Sequence, residues 1–324
     1  MNREQAIREI EKWSNLRAIS GYEDKASAKL AESIRNLNCT VEIDNLYNVI
    51  CVKKGIGSSR RIMIIAHLDE VGIQIICKKN QRAKRYLFKT LGSIRNSNLI
   101  NESVCFENGI AGKIYEDHHE KEDSKHTENL YIEPVGDAEL CIGDVGTYSP
   151  FFQDSEGWIT GKALDNRVGC YILHTLLKKD IKTRNDIFYV FSTQEEIGMR
   201  GAKVAVSCLA PDEIITVDLS PVNEFSSLVA GDGVGIKLSD GMSVSNKDLV
   251  KEFTDIAVKH GISYQKEVST YGTTETILIN EKDYGSKNIG LSIPCFCMHS
   301  RKTRVNLRDI ETTIELLCRY LHTV

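Results

Sequence analysis

The 324-residue chain is long enough to bury a full core and to form two domains. Its 41 basic and 45 acidic residues give a net charge of −4, which argues against nucleic acid as the main partner. No apolar run approaches the roughly 18 residues of a membrane span, and residues 1–5 open a charged amphipathic pattern without a signal-peptide core. We therefore expect a soluble cytoplasmic protein with no membrane partner.

The ten cysteines are scattered, and several lie inside apolar runs, among them Cys51, Cys77 and Cys170. Without an export signal, the simplest interpretation is that they are reduced and buried. Cys295 and Cys297 raise the alternative of a thiolate metal or redox site. A Cys-x-Cys without a second pair is weak support for such a site, so we interpret it as packing at a strand end.

The N-terminal part of the chain has the pattern of an α/β domain. Apolar residues at near-helical spacing predict a helix over residues 3–19, and Asp24 begins a second amphipathic helix. Residues 41–52 alternate like a hairpin, and residues 61–66 form an apolar run typical of a buried strand. Helices that lead into buried strands of the parallel type indicate an α/β fold.

His67 and Asp69 follow the buried strand 61–66 directly. A spacing of two residues places both side chains on the same face of an extended segment. The imidazole could then bind a metal while the carboxylate orients it. The alternative is a hydrogen-bonded histidine beside a surface aspartate, and the pair taken alone favours that alternative.

From about residue 73 the character of the chain changes. Strand-like pieces such as 130–133 and 145–148 recur, and no helical periodicity appears before Ala163. We predict that residues 74–158 form a β-rich module inserted into a catalytic domain made of residues 1–73 and 159–324. The charged run 117–128 contains His118, His119 and His126, which we interpret as solvated surface rather than a metal site.

Asp165 precedes an apolar stripe at helical spacing. Aspartate is a favoured N-cap, and for this residue alone that interpretation is the better one. A carboxylate at a helix start near two strand ends could instead bridge two metal ions, with one oxygen on each.

Glu195 and Glu196 follow the strand 187–191, at the end of a buried strand where open α/β sheets bind their ligands. Neighbouring residues point in different directions, so one carboxylate could bind a metal while the other acts as a base. The alternative is a solvated pair that caps the next helix.

The same pattern continues to the C-terminus. Strand 213–218 ends at Asp218, and strand 290–294, which the proline stops, leads to His299. Helices are predicted over 247–260 and 307–321, with a strand over 264–268. These ligands suit a pair of zinc-like ions about 3.5–4 Å apart, each with one histidine, one carboxylate and a share of a bridging carboxylate. The ions would acidify a water molecule and the spare glutamate would take its proton, which is hydrolase chemistry.

Five motifs occur in an order that resembles a known family. They are His67-Leu68-Asp69-Glu70-Val71-Gly72, Gly161-Lys162-Ala163-Leu164-Asp165-Asn166-Arg167, Thr193-Gln194-Glu195-Glu196-Ile197-Gly198-x-Arg200-Gly201-Ala202, Val217-Asp218, and Ile293-Pro294 with His299-Ser300. Together they look like the dinuclear metal-dependent aminopeptidases of the tetrahedral, deblocking and glutamyl type, metallopeptidase family forty-two. The resemblance runs from Ser20-Gly21-x-Glu23 to the final helix.

The resemblance implies a zinc-peptidase-like three-layer α/β/α domain with an inserted, barrel-like dimerisation domain at residues 74–158. Dimers of this family commonly assemble into hollow dodecamers, and the substrates are peptides.

The resemblance also implies roles for seven residues. His67, Asp165 and Asp218 would hold one divalent ion, and Asp165, Glu196 and His299 would hold the other. Zinc is the expected metal, with cobalt or manganese as alternatives. Glu195 would be the general acid/base, and Asp69 would orient His67.

The chain departs from the family pattern at four places. Asn166 stands where the family usually has aspartate, and Leu219-Ser220-Pro221 replaces a threonine-containing stretch. Gly272-Thr273-Thr274-Glu275 replaces Gly-Thr-Asp-Ala, and Pro294-Cys295-Phe296-Cys297-Met298 replaces Pro-Thr-Arg-Tyr. We expect these segments to line the substrate pocket or to support a metal.

Two other functions are compatible with the pattern. A non-catalytic assembly protein could keep the fold, although it would need neither the ligands nor Glu195. A related dinuclear carboxypeptidase or amide deacylase could use the same architecture.

Overall fold

The computed structural model describes residues 3–57, 60–80, 83–117, 129–282 and 284–324, and in them eleven strands form one large mixed sheet. Numbered along the chain, its strands are, in spatial order, β1 (Thr40–Ile43), β2 (Val49–Lys53), β12 (Asp186–Ser192), β3 (Arg61–His67), β13 (Glu213–Pro221), β16 (Lys287–Phe296), β17 (Thr303–Asn306), β11 (Trp158–Gly161) and β10 (Phe152–Ser155), with β14 (Val234–Ser239) beside β16 and β15 (Tyr264–Val268) beside β14. The strands β12, β3, β13 and β16 are parallel neighbours, so their carboxyl ends meet at one edge of the sheet.

Helices cover both faces of this sheet. Ile62 and Ile64 of β3 pack into one core, whereas Met63 and Ile65 pack into the other, because successive side chains of a strand point to opposite faces. The first core includes side chains from the helices α1 (Arg3–Asn15), α2 (Asp24–Ile34), α3 (Leu164–Lys179), α5 (Lys247–His260) and α6 (Leu307–Leu321), and the second includes α4 (Arg200–Leu209). The predicted three-layer α/β/α class is therefore confirmed.

Six further strands close into a barrel with its own apolar core. They are β4 (Gly72–Asn80), β5 (Ala83–Leu91), β6 (Ser103–Phe106), β7 (Ala111–Glu116), β8 (Leu130–Pro134) and β9 (Val145–Tyr148), paired in the order β4-β5-β8-β7-β6-β9. Ile75, Phe88, Phe106 and Ile132 lie in this core. The barrel strands end at Tyr148, whereas β10 belongs to the large sheet although it lies within 74–158. The division of the chain into two domains stays a prediction.

Most predicted elements form, and the ends of the first helix and of the strand before His299 differ from the predicted ones. The first helix ends at Asn15 rather than at residue 19, because Ile19 forms a parallel bridge with Glu70 and the Glu70 N–H donates to the Ala18 carbonyl. The prediction that proline stops the strand before His299 is wrong. Strand β16 continues to Phe296. Its residues 290–292 pair with β14, and its residues 295–296 pair with β17. Pro294 lies between these two stretches, so the N–H group that proline lacks is not needed for a hydrogen bond to either strand.

The cysteine prediction is confirmed only in part. All ten cysteines are free thiols, and Cys51, Cys170 and Cys295 are buried. Cys77 is half-buried, and Cys297 is among three exposed cysteines, so burial is not general.

The histidine cluster at His118, His119 and His126 lies outside the residues that the structure describes. In the described part of the chain, no helix combines the length and the apolar character needed to cross a membrane.

Candidate metal centre and active site

The parallel strands bring residues from distant parts of the chain to one edge of the sheet. His67 is the last residue of β3, Asp218 lies near the end of β13, and Glu195 and Glu196 follow β12. His299 follows β16 by three residues. Asp165 reaches the same place from the start of α3.

The first ligand group consists of His67, Asp165 and Asp218, all of which are buried. The His67 Nε2 atom lies 3.3 Å from Asp165 Oδ1 and 3.7 Å from Asp218 Oδ1. One nitrogen and two carboxylate oxygens that face one another in this way are a donor set that suits a zinc-like dication.

The second ligand group consists of Asp165, Glu196 and His299. The His299 Nε2 atom lies 3.2 Å from Asp165 Oδ2 and 3.3 Å from Glu196 Oε2. The buried Glu196 Oε1 has no hydrogen-bond partner among the described residues. Asp165 thus presents its two oxygens to two different histidines, which is what a bridging carboxylate requires.

The helix start explains why the Asp165 carboxylate is free for this task. Asp165 itself has a non-helical backbone, and the cap is supplied by Asn166, whose Oδ1 accepts the Gly169 N–H at 3.0 Å. The Asn166 Nδ2 donates to the Val217 carbonyl at 2.8 Å. The departure from aspartate at position 166 therefore provides a donor to β13, and the interpretation of Asp165 as the cap is wrong.

Both histidines present the same nitrogen to the carboxylates. His67 Nδ1 lies 3.2 Å from the Asp69 carbonyl oxygen, and His299 Nδ1 lies 2.6 Å from the Ser93 carbonyl oxygen. When Nδ1 donates to a carbonyl, Nε2 carries the lone pair that can bind a metal.

Asp69 has contacts on two sides. Its Oδ1 lies 3.5 Å from His67 Nδ1, in line with the predicted orienting role. The same carboxylate accepts the backbone N–H groups of Glu195, at 3.0 Å, and Glu196, at 3.2 Å. Asp69 is therefore positioned to hold both a histidine and the backbone that carries the two glutamates.

Buried carboxylates dominate the electrostatics of the site. Burial raises the pKa of Glu195 well above its usual value, although the charge of His67 lowers it. The charges of Asp218 and Glu196 raise it further. Burial likewise raises the pKa of Glu196 to about 8 and that of Asp218 to about 7. The pKa of Asp165 is lowered instead, because His299 and His67 outweigh its burial. Such an excess of negative charge fits a site built for cations.

Residues in and beside the barrel contact the second ligand group, and the sequence did not indicate these contacts. The Tyr148 hydroxyl lies 3.2 Å from the His299 carbonyl and 3.0 Å from the Asn98 carbonyl. Gly92 lies so close to Glu196 that a Cβ atom there would be 3.2 Å from that carboxylate. The contact of Ser93 with His299 uses a backbone carbonyl, which leaves no signal in the residue type.

Glu275 is a further acidic residue beside the site. It is fully buried, it accepts a hydrogen bond from Ser192 Oγ, and its Oε2 has no partner among the described residues. Burial raises its pKa to about 8, against the influence of His67. The departure from the family pattern at 272–275 was the available signal, and Glu275 is fully buried rather than exposed on a pocket wall.

An α/β/α sheet that gathers two histidines and several carboxylates at one edge defines a hydrolase-type site. A sequence model of the M42 glutamyl aminopeptidase family matches residues 47–316. The chain therefore belongs to the M42 glutamyl aminopeptidase family.

Individual relatives agree along nearly the whole chain. A protein of Acetivibrio thermocellus named for an inferred aminopeptidase activity is 30% identical over 323 residues, covering 95% of this chain and 96% of that protein. An aminopeptidase from the archaeon Desulfurococcus kamchatkensis superposes with a TM-score of 0.91 at 26% identity, covering 99% of this chain and 96% of the other. The Pyrococcus horikoshii TET1 peptidase, which can assemble into a tetrahedron or a large octahedral shell, shares the fold with a TM-score of 0.87 at 24% identity, covering 98% of this chain and all of the other.

The family and these relatives assign the activity class. The protein is an aminopeptidase and thus a hydrolase.

Proposed function

We propose that this aminopeptidase works with two divalent metal ions per subunit. His67, Asp165 and Asp218 would hold one ion, and Asp165, Glu196 and His299 the other. The observation that carries the proposal is the placement of Asp165, whose Oδ1 faces His67 at 3.3 Å and whose Oδ2 faces His299 at 3.2 Å. The mixed nitrogen and oxygen donors favour zinc, with cobalt or manganese as alternatives.

Glu195 is the general acid/base of the proposed reaction. When bound, the two ions would supply the Lewis acidity that activates a water molecule and the scissile carbonyl. Glu195 is buried, and the charges of His67 and Asp218 influence its pKa, but it belongs to neither ligand group. Its raised pKa favours a group that takes and returns a proton. It would accept the proton of the attacking water and deliver it to the departing amine.

The barrel is the proposed dimerisation domain. Two of its apolar side chains are exposed, Ile76 at 49% and Ile142 at 79%. The segments that carry them are joined by a hydrogen bond from the Gly143 N–H to the Ile75 carbonyl at 3.0 Å. Exposed apolar side chains close together often mark an interface. The tetrahedral and octahedral assemblies of the Pyrococcus horikoshii relative further support self-association of this chain. A dimer through the barrel, and assembly of dimers into a dodecamer, are the forms that we propose.

Removal and return of metal test the proposal. The protein is stripped with a strong chelator and reloaded with zinc, cobalt or manganese. Hydrolysis of aminoacyl-p-nitroanilides and bound metal per subunit are then measured together. We expect activity to disappear and to return as about two ions bind per subunit, the stoichiometry of a dinuclear hydrolase site.

N-acetylated aminoacyl-p-nitroanilides serve as the matched control, because they differ only in lacking the free amine that an aminopeptidase requires. Activity that survives the chelator, or an active protein with at most one bound ion, contradicts the dinuclear proposal. Release of acetate from the acetylated substrate, without direct release of p-nitroaniline, points to the deacylase alternative.

A further inference from the structure

Three consecutive backbone N–H groups at the centre of the site donate to buried carboxylates. The Gln194 N–H donates to Glu23 Oε1 at 3.0 Å. The N–H groups of Glu195 and Glu196 donate to the two oxygens of Asp69 at 3.0 and 3.2 Å. Two acidic side chains, those of Glu23 and Asp69, therefore accept hydrogen bonds from the backbone that carries both glutamates of the site.

This backbone needs external support because its conformation is unfavourable. Gln194 has a φ of 56°, in the left-handed region that residues other than glycine rarely adopt. The Arg200 N–H donates to the Gln194 carbonyl at 3.2 Å, and Arg200 Nη1 donates to Gln194 Oε1 at 2.6 Å. These bonds restrain the carbonyl and the side chain of Gln194, and Glu23 restrains its N–H.

Glu23 reaches this turn from a distant part of the chain. It precedes α2, is fully buried, and also accepts the Gly21 N–H at 2.9 Å through the same Oε1. It belongs to neither ligand group and lies outside residues 47–316, which the family model matches. Among the described residues, its hydrogen bond to the site is made with the backbone of Gln194.

We propose that Glu23 is a positioning residue that fixes the backbone in front of Glu195 and so sets the place of the general acid/base. This inference rests on the proposed role of Glu195. The ligands His67 and Asp218 lie within strands β3 and β13, and the ligand Glu196 is one residue farther from Gln194 and keeps its own N–H bond to Asp69. Loss of the Glu23 contact should therefore displace Glu195 before it displaces a metal ligand.

The contact depends on reach rather than on charge. Glutamine keeps the length and a carbonyl acceptor for the Gln194 N–H but has no charge. Aspartate keeps the charge but is one methylene shorter, so its oxygen falls short of that N–H. Glu23→Gln and Glu23→Asp therefore separate the two explanations, and Glu23→Ala removes both. Asp24→Asn, at the exposed neighbouring position, is the matched control.

The first measurement is hydrogen exchange of the Gln194 amide in metal-free protein, so that it does not depend on activity. We expect Glu23→Asp and Glu23→Ala to exchange about tenfold faster than wild type, the effect of losing one hydrogen bond. Glu23→Gln and Asp24→Asn should exchange like wild type.

The second measurement is kcat, KM and bound metal of the loaded enzyme. We expect kcat of Glu23→Asp to fall by roughly tenfold to a hundredfold, because small misplacements of a catalytic group are costly, with KM and metal content unchanged. Glu23→Gln should restore kcat. If Glu23→Ala does not fold, the Asp and Gln variants alone decide the question.

The proposal is overturned if Glu23→Asp behaves like wild type while Glu23→Gln is impaired, if exchange at Gln194 is unchanged in Glu23→Asp, or if the variants lose metal together with kcat. Faster exchange with unchanged kcat also overturns it. A wild-type enzyme without metal-dependent activity would contradict the proposed function instead. The exchange experiment would still test the Glu23 contact, because it uses metal-free protein.

Discussion

Glu195 and Glu196 are neighbours in the chain but differ in what their side chains meet. Glu196 Oε2 lies 3.3 Å from His299 Nε2, and Glu196 belongs to the second ligand group. Glu195 belongs to neither group, although the charges of His67 and Asp218 influence its pKa. The two carboxylates should therefore fail differently when each is neutralised.

For Glu195→Gln, we expect turnover to fall by roughly 10² to 10⁴, the usual worth of general acid/base catalysis, with both metals retained. For Glu196→Gln, the loss of a charged ligand should first weaken the occupancy of one metal position. Turnover and bound metal across a titration of zinc or cobalt distinguish the two variants.

Excess metal should partly restore the Glu196 variant and leave the Glu195 variant inactive. Loss of metal from Glu195→Gln, with Glu196→Gln fully loaded, would mean that the two roles are reversed. Full activity of both variants would contradict the catalytic role of this segment.

At the scale of elements, Glu70 joins four parts of the molecule. Its Oε1 accepts the Ala18 N–H at 3.1 Å, and its Oε2 accepts Thr147 Oγ1 of the barrel at 2.9 Å. Lys162 Nζ lies 2.5 Å from Oε2, and Arg167 Nη2 lies 3.4 Å from Oε1. All three charged side chains are buried, so the carboxylate and the two cations must neutralise one another's charge.

Glu70→Gln should lower the free energy of unfolding by about 3–5 kcal/mol, because it leaves buried cations without their counter-charge. Glu9→Gln is the control, since Glu9 pairs with Lys178 at 3.1 Å at the surface. That control should cost at most about 1 kcal/mol. Urea unfolding of both variants measures the difference, and equal losses would contradict the prediction.

The effect of Glu70 should also depend on pH. Burial raises the pKa of Glu70, but the charges of Lys162 and Arg167 outweigh it and hold the pKa below its usual range. The stabilisation is therefore fully present above the unfolded pKa of about 4.3 and is lost as pH falls through the folded pKa. The difference between wild type and Glu70→Gln should shrink below pH about 4.

The barrel and the second ligand group are connected through Tyr148, whose hydroxyl lies 3.2 Å from the His299 carbonyl. We expect Tyr148→Phe to weaken one of the two metal affinities by roughly tenfold, the lower end for a lost outer contact of a metal ligand. Tyr115→Phe, elsewhere in the barrel, is the matched control. Titration against a competing chelator measures both affinities, and two unchanged affinities would contradict the prediction.

At the scale of the whole molecule, the barrel lies beside the large sheet and contacts the edge that carries the candidate site through Tyr148 and His299. If the barrel is a dimer interface, the full chain should sediment as a dimer or larger at micromolar concentration. Ile142→Glu should shift the population towards monomer, because a buried charge disfavours an apolar contact. Val258→Glu, on α5 and 67% exposed, should not. A wild-type monomer would contradict the proposed assembly.

Much of this architecture could be predicted from the sequence. The bounds of α5, β15 and α6 agree with the predicted ones, because apolar periodicity reports which face of an element is buried. The ligand types could be proposed because His67, Asp218 and His299 stand at or just beyond strand ends, and parallel strands bring such ends together.

Only the tertiary structure decided how the ligands are held. Three contacts show this. Asn166 caps α3, the Ser93 carbonyl contacts His299, and Glu23 accepts the N–H of Gln194. The apolar periodicity of the sequence reports none of these partners. Two of these contacts span large distances in the chain, and all three use backbone N–H or carbonyl groups. Because every residue type carries these same backbone groups, the amino-acid sequence identifies the side chains of the site but not the backbone partners that fix them.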